Sequence, residues 1–252
     1  MRLAGIILTY NESEHIQDCI KSLQFADEVL VVDSFSTDHT VELANECNVE
    51  VIQNAFQDYA DQRNFALGAV RDRVDWVLFV DADERVTAEL ADEVREVIKN
   101  SDYVGWQIPR HNYIFGKLTR GAGWYPDHQT RLLKASSARY DPERKVHEVV
   151  QLDGELGTIT HHLTHYNYTH VAQFLQKQRK YTAYEASILH EQGIKPKPQN
   201  YILQPLRHFH WRFLTLKGYR DGWHGFRLSV FMAWYEFRKY MILGNLWKNK
   251  TG

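Results

Sequence analysis

Asp81 and Asp83 stand two residues apart in the segment WVLFVDADE (Trp76 to Glu84), directly after the apolar run Val77 to Val80. Carboxylate oxygens of this kind suit a hard divalent cation such as Mg2+ or Mn2+, and such a cation commonly carries a diphosphate. The apolar run reads as a strand buried on both faces, as in a parallel sheet. Open α/β sheets take their ligands at the carboxyl ends of the strands, which is where both carboxylates would sit. An ordinary polar loop ahead of a helix N-cap, here before Thr87-Ala88-Glu89-Leu90, also fits the pair taken alone. Two competing aspartate patterns fail. Arg85 stands where a phosphatase-type Asp-x-Asp needs Thr or Val, and the third ligand and glycine of an EF-hand loop are missing. The segment therefore points to a metal–nucleotide site at a sheet edge.

The elements that must position these residues alternate. LAGIILTY reads as a first strand, and Glu12 to Leu23 as a helix with Ile16, Cys19, Ile20 and Leu23 on one face. Glu28 to Val32 is a second strand, followed by N-cap chemistry at Ser36-Thr37-Asp38 and a helix from Thr40 to Cys47. Val49 to Ile52 is a short third strand, Gln57 to Val70 a helix, and Trp76 to Val80 the fourth strand. A helix over Thr87 to Ile98 and a strand over Val104 to Pro109 follow. This alternation predicts βαβ units around a mostly parallel, Rossmann-like sheet flanked by helices, an α/β fold. Polar residues leave the first, second and fourth strands at the same edge: Thr9, Asn11 and Glu12, then Asp33, then the Asp pair. Taken singly, Asn11-Glu12 also fits a helix N-terminus and Asp33-Ser34 a turn.

After Arg110 the texture changes to Tyr, His, Gly and Trp, with short β-like pieces at Thr130 to Leu133, Val146 to Gln151 and Gly157 to His162. Val171 to Glu191 reads as a helix, and Lys195-Pro196-Lys197-Pro198 as a stiff connector to a basic, aromatic tail. The expected organisation is a catalytic domain over 1–170, with a nucleotide-sugar half (1–110) and an acceptor half (111–170), then a helical extension over 171–252. The 252 residues suffice for a sizeable core, and a formal charge of −2 gives no global field for nucleic acid. Cys19 and Cys47 read as buried thiols, consistent with a reducing compartment. The first strand starts too early for a signal peptide, and no apolar run is long enough to span a membrane. A cytoplasmic protein is expected, with a peripheral position on the inner face of the cell membrane open to it.

Six blocks carry a resemblance: ILTYNE (Ile7 to Glu12), VVDSFSTDHT (Val31 to Thr40), DQRNFAL (Asp61 to Leu67), VDADERVT (Val80 to Thr87), GWYPDHQTRLL (Gly123 to Leu133) and VHEVV (Val146 to Val150). In this order over the first two thirds of the chain, they resemble the family 2 glycosyltransferases of GT-A fold. More narrowly they are similar to bacterial lipopolysaccharide-core β-glucosyltransferases, and the similarity weakens in the tail. The resemblance implies inverting, metal-dependent transfer of a hexose, glucose first, from a UDP-sugar to a saccharide or lipid-linked acceptor in cell-envelope glycan synthesis. It places Thr9, Asn11, Glu12 and Asp33 against uracil and ribose. Arg63 would reach a phosphate or hold the Asp cluster, unless it lies on a solvated helix face. Asp83 is the expected direct metal ligand, and Asp81, beside Ala82, meets the ribose or a metal-bound water. The base that deprotonates the acceptor matches Glu148. Asp127 is its rival, otherwise a contact to acceptor or donor sugar, with Arg131 nearby in sequence. Among thirteen histidines there is no zinc spacing, and His165 or His147 stays open as a further ligand of the same cation.

Two rival functions share these residues. A polyprenyl-phosphate glycosyl synthase has an anionic acceptor and needs no base, and a non-catalytic nucleotide-sugar-binding or scaffold protein needs no turnover. A nucleotidyltransferase is excluded, because LTYNES lacks a Gly-rich, Arg-containing loop. The tail from Arg207 to Lys250 holds nine Lys or Arg against two acidic residues, interleaved with aromatics. Such a tail suits an interfacial helix on an anionic membrane, and equally packing on the catalytic domain or on a second subunit of a homo-oligomer. No nucleic-acid module accompanies the charge.

Overall fold

The computed structural model describes residues 1–99, 102–141 and 150–249. They form two compact units, one of residues 1–110 and 127–165, the other of residues 111–126 and 166 onward.

The first unit opens with β1 (Leu3–Thr9), α1 (Ile16–Ser22), β2 (Glu28–Asp33), α2 (Thr40–Glu46), β3 (Glu50–Gln53), α3 (Tyr59–Val70) and β4 (Trp76–Asp81). β5 (Glu84–Val86), α4 (Ala88–Val97) and β6 (Gly105–Ile114) follow. After β7 (Lys117–Leu118), which belongs to the second unit, come β8 (His128–Lys134), β9 (Ala138–Tyr140), β10 (Val150–Leu152), β11 (Leu156–Thr158) and β12 (Leu163–Tyr168). The strands are ordered β3-β2-β1-β4-β8-β6. The first four run parallel and β8 is antiparallel to β4. β6 is antiparallel to β8, and β5 pairs with the start of β12. The expected α/β sheet is thus present, with an antiparallel addition.

Alternate residues of each central strand feed opposite faces, the period-2 geometry of a strand covered on both sides. Trp76, Leu78 and Val80 of β4 join Leu3 and Ile7 of β1 and the apolar faces of α1 and α4. Val77 and Phe79 join Ala4, Ile6 and the α3 residues Ala66, Leu67 and Val70 on the other face. Gly157 lies against the Trp106 ring so closely that any Cβ would collide with it.

Helix boundaries differ from the sequence reading at the N-termini. α1 begins at Ile16, four residues later than the Glu12 read from periodicity, because the Glu12 carbonyl accepts the His15 and Ile16 amides in a preceding turn. Asp58 caps α3 by accepting from the Asp61 amide, and Thr87 caps α4 by accepting from Leu90.

The second unit holds β7 and α5 (Val171–Glu191), whose bounds match the sequence reading, and α6 (Asn200–His210). A π-helical turn (Trp211–Thr215), a 3-10 turn (Gly218–Asp221) and the long α7 (Gly222–Asn249) complete it. Ile114, Tyr168, Phe174, Leu228 and Tyr235 form its core. Residues 111–126 group with these helices because polar ties fasten them there. The Arg120 and Gly121 amides donate to the Asp221 carboxylate, Arg212 donates to the Ala122 carbonyl, and Thr119 meets His224 at 3.1 Å. No helix of the described residues is long and apolar enough to cross a membrane.

His208 on α6 accepts a hydrogen bond at Nε2 from Arg212 Nε, 2.7 Å away, which requires the neutral ring. Burial, then the charges of Arg212 and Lys239, push its pKa down to about 4, against the raising influence of Glu185. Since the unfolded chain takes up this proton near the ordinary histidine value, stability contributed here is complete above about pH 6.5 and declines toward pH 4. The C-terminal unit is expected to lose up to about 2–3 kcal/mol across that window. His208→Gln should flatten this part of the pH dependence in thermal melts. An unchanged profile would refute the assignment.

Candidate active site

β1, β2 and β4 end side by side, with Leu8 opposite both Val32 and Asp81 and Thr9 opposite Asp33. At the end of β1 the Thr9 hydroxyl is buried without a hydrogen-bond partner, a fit for a ligand group. Asn11 has a positive φ of 55°, and its side-chain oxygen accepts from the Thr37 amide at 2.8 Å. The Glu12 amide donates to Thr40 Oγ1 at 2.8 Å. Asp33 is fully buried. Its carboxylate accepts from the Ser36 amide and hydroxyl and from Gln53 Nε2, so it shapes the turn after β2. That turn carries Phe35 at φ 60° with its ring exposed. A bulky residue held in the left-handed region marks a loop under functional constraint. Gln53 lies outside every sequence block named above, and Phe35 enters only as part of VVDSFSTDHT.

The end of β4 is a buried ionic cluster. Arg131 grips Asp81 with both terminal nitrogens, one at 3.0 Å from Oδ1. Arg63 approaches the same oxygen at 3.7 Å, and its guanidinium lies over the Phe79 ring. Glu84, fully buried, accepts the Asp81 amide at 2.9 Å, Arg110 at 3.0 Å and Arg131 at 3.3 Å. Arg110 turns its other nitrogens to Asp127 Oδ2, at 2.8 and 2.9 Å, while Gln129 donates to Oδ1 at 2.8 Å. Burial alone would raise the Asp81 carboxyl, but the charges of Arg131 and Arg63 and the Arg131 hydrogen bond hold it well below the usual carboxylate range. Burial likewise opposes the Arg131 charge, and Asp81 and Glu84 overcome it, raising its pKa.

Three guanidiniums (Arg63, Arg110, Arg131) thus face three carboxylates (Asp81, Glu84, Asp127). Asp83 is a fourth carboxylate outside this balance. Its ion-pair partner is His165, on β12, whose Nε2 lies 3.4 Å from Asp83 Oδ2. The β5–β12 pairing, with His165 opposite Glu84, brings the two together. Ala82, between the two aspartates, is buried, and its carbonyl accepts from Arg85 at 2.8 Å.

A divalent cation fits this donor set. Among the described residues no cluster of three or more His, Cys, Asp or Glu side chains is assembled for a metal. A carboxylate and an imidazole nitrogen suffice for Mg2+ or Mn2+ when diphosphate oxygens and water complete the shell. Asp83 and His165 therefore fit direct ligation better than Asp81, whose oxygens are taken by arginine. Asp127 is engaged by Arg110 and Gln129. Glu148 and His147 lie outside the described residues.

Glu84 ties the cluster together, and sequence inspection did not single it out. Glu84→Gln keeps an acceptor for the Asp81 amide but leaves three arginines against two carboxylates. The expected result is a loss of about 3 kcal/mol in unfolding free energy, with weakened nucleotide binding. Unaltered melting and binding would show that Glu84 is dispensable.

The glycosyl transferase family 2 model matches residues 6–148. The lipopolysaccharide core biosynthesis glycosyltransferase LpsC of Rhizobium meliloti is 29% identical over 93% of this chain and 89% of its own. An uncharacterized glycosyltransferase of Rickettsia bellii is 28% identical over 97% and 87%. Among solved structures, the glucosyl-3-phosphoglycerate synthase of Mycobacterium tuberculosis, in complex with Mn2+, UDP and glucosyl-3-phosphoglycerate, aligns with a TM-score of 0.50 and 17% identity. It covers 78% of this chain and 81% of that one, and the likeness confirms the GT-A fold. With its sheet, its Asp-x-Asp edge and a family match over more than half its length, the chain is a glycosyltransferase that belongs to glycosyl transferase family 2.

Proposed function

We propose that the protein transfers a hexose, glucose first among the candidates, from a UDP-sugar to a saccharide or lipid-linked acceptor of the cell envelope, with inversion at the anomeric carbon. The observation that carries this reading is the Asp83–His165 pair beside a charge-balanced arginine cluster. Asp83, outside that cluster, offers a carboxylate suited to a cation and, through it, a diphosphate. Asp83 and His165 would hold Mg2+ or Mn2+, which when bound acts as a Lewis acid that neutralises the charge developing on the leaving UDP. The relative from Rhizobium, a lipopolysaccharide core enzyme, supports the class of acceptor. The mycobacterial neighbour, solved with Mn2+ and UDP, supports the class of donor.

In this reading Thr9, Asn11 and Glu12 line the base and ribose side, and Asp33 acts by holding the β2 turn in shape. Arg131 and Arg63 fix Asp81 as a charged acceptor for the ribose or for an ordered water. Glu148 takes the proton of the acceptor hydroxyl as its oxygen bonds to the anomeric carbon. The bond from that carbon to the diphosphate oxygen breaks, and its electron pair leaves with UDP. Asp127, held by Arg110, serves the acceptor or sugar as a hydrogen-bonding group.

UDP release from a panel of UDP- and GDP-sugars, with and without Mn2+, tests the assignment. Slow metal-dependent hydrolysis of one UDP-sugar is expected, with Asp83→Ala reducing it by about a hundredfold or more and His165→Ala by about tenfold. Glu148→Gln should depress transfer to acceptor by about a hundredfold while leaving UDP affinity unchanged. Absence of both hydrolysis and metal-dependent UDP binding would overturn the proposal. A Glu148→Gln enzyme with full activity would favour an anionic, polyprenyl-phosphate acceptor.

A further inference from the structure

An amphipathic helix in a water-soluble protein ordinarily turns its apolar stripe inward. α6 does the reverse. None of its residues is fully buried, and Ile202, Leu203 and Leu206 are 66%, 53% and 60% exposed. The intramolecular packing comes from its C-terminal end, where Phe209 stacks on Phe213 and meets Phe226 of α7 edge-on, and His208 bonds Arg212. The outward stripe continues into the π-helical turn, where Trp211 and Leu214 are also exposed. Large apolar residues grouped this way, rather than scattered, mark a docking surface.

The charge beside this stripe identifies what it docks on. From Gln192 to Arg220 the chain carries six Lys or Arg (Lys195, Lys197, Arg207, Arg212, Lys217, Arg220) and no Asp or Glu. The two carboxylates farther along are engaged internally. Asp221 accepts from the Arg120 and Gly121 amides, and Glu236 pairs with Lys239 at 2.7 Å. The second unit therefore presents, around α6, exposed leucine and tryptophan bordered by cations without an exposed carboxylate on α6, the two turns or α7. A second copy of this face would bring like charges together, whereas anionic headgroups complement it.

We propose that α6 lies in the plane of an anionic phospholipid surface, with Ile202, Leu203, Leu206 and Leu214 at the acyl boundary and Arg207 and Lys217 among the phosphates. Trp211 suits the headgroup level, where indoles concentrate. The inference stands apart from the donor site, since it concerns a different unit and is read without any sugar nucleotide.

Vesicle sedimentation of the full chain tests it. Phosphatidylethanolamine vesicles containing phosphatidylglycerol should pellet the protein at least about tenfold better than phosphatidylcholine vesicles, and added salt should weaken the binding. Leu203→Glu combined with Leu206→Glu should lower partition to the anionic vesicles by at least about tenfold, with the thermal melt and UDP release unchanged. Arg207→Glu combined with Arg220→Glu should lower it similarly and blunt its salt dependence. These charge changes keep the test decisive should the leucine pair fail to fold. Failure of the wild-type chain to bind anionic vesicles, or binding indifferent to both pairs, overturns the proposal. A wild-type dimer in sedimentation velocity that the leucine pair dissociates, without vesicle binding, assigns the face to a second copy and overturns it equally.

Discussion

Charge buried at the end of β4 has to be neutralised in place, and Glu84 is the group through which this happens. Two guanidiniums, from Arg110 and Arg131, converge on its carboxylate, and it also accepts the amide of Asp81. Glu84 shares the compensation they need, with Asp81 for Arg131 and with Asp127 for Arg110, because desolvating an unpaired ion costs several kcal/mol. Through Arg131 it orients Asp81, and through Arg110 it orients Asp127. One carboxylate thus couples the first β4 ligand to the loop that enters β8.

The consequence is a division of labour between the two aspartates of the Asp-x-Asp segment. Asp81 spends its charge on arginine and becomes a rigid, permanently ionised acceptor. Asp83 faces the other way, toward His165 across the β5–β12 pairing. Identical side chains two residues apart therefore meet different electrostatic surroundings. Asp127 is likewise engaged, by Arg110 on one oxygen and Gln129 on the other.

The second unit uses charge in the opposite manner. Asp221 caps amides and Glu236 holds Lys239, while much of the apolar surface of α6 faces solvent. α6 meets α7 where Phe209 packs edge-on against Phe226, while Ile202, Leu203 and Leu206 face solvent. The outward side is free to meet a lipid surface while the sheet-edge chemistry proceeds in the first unit.

Continuous apolar runs and helical periodicity made most elements legible from the sequence: β1, β2 and β4, the strand–helix order, and α5 at its observed bounds. The Asp-x-Asp edge was legible for the same reason, since a continuous apolar run running into carboxylates is a local pattern. Local pattern did not reach the turn ahead of α1, where the Glu12 carbonyl claims two amides before the helix begins. Nor did it reach the partners of the aspartates. Arg131 lies fifty residues beyond Asp81 in the chain, and His165 arrives only through strand pairing. Asp33 reads in sequence both as a ligand at a strand end and as turn chemistry, and the fold shows it bonded within its own turn. Sequence determined which side chains arrive at the sheet edge, because strand period and apolar burial are written in neighbouring residues. Tertiary structure decided which carboxylates keep their charge available, because ion pairing in a buried site depends on distances between residues far apart in the chain.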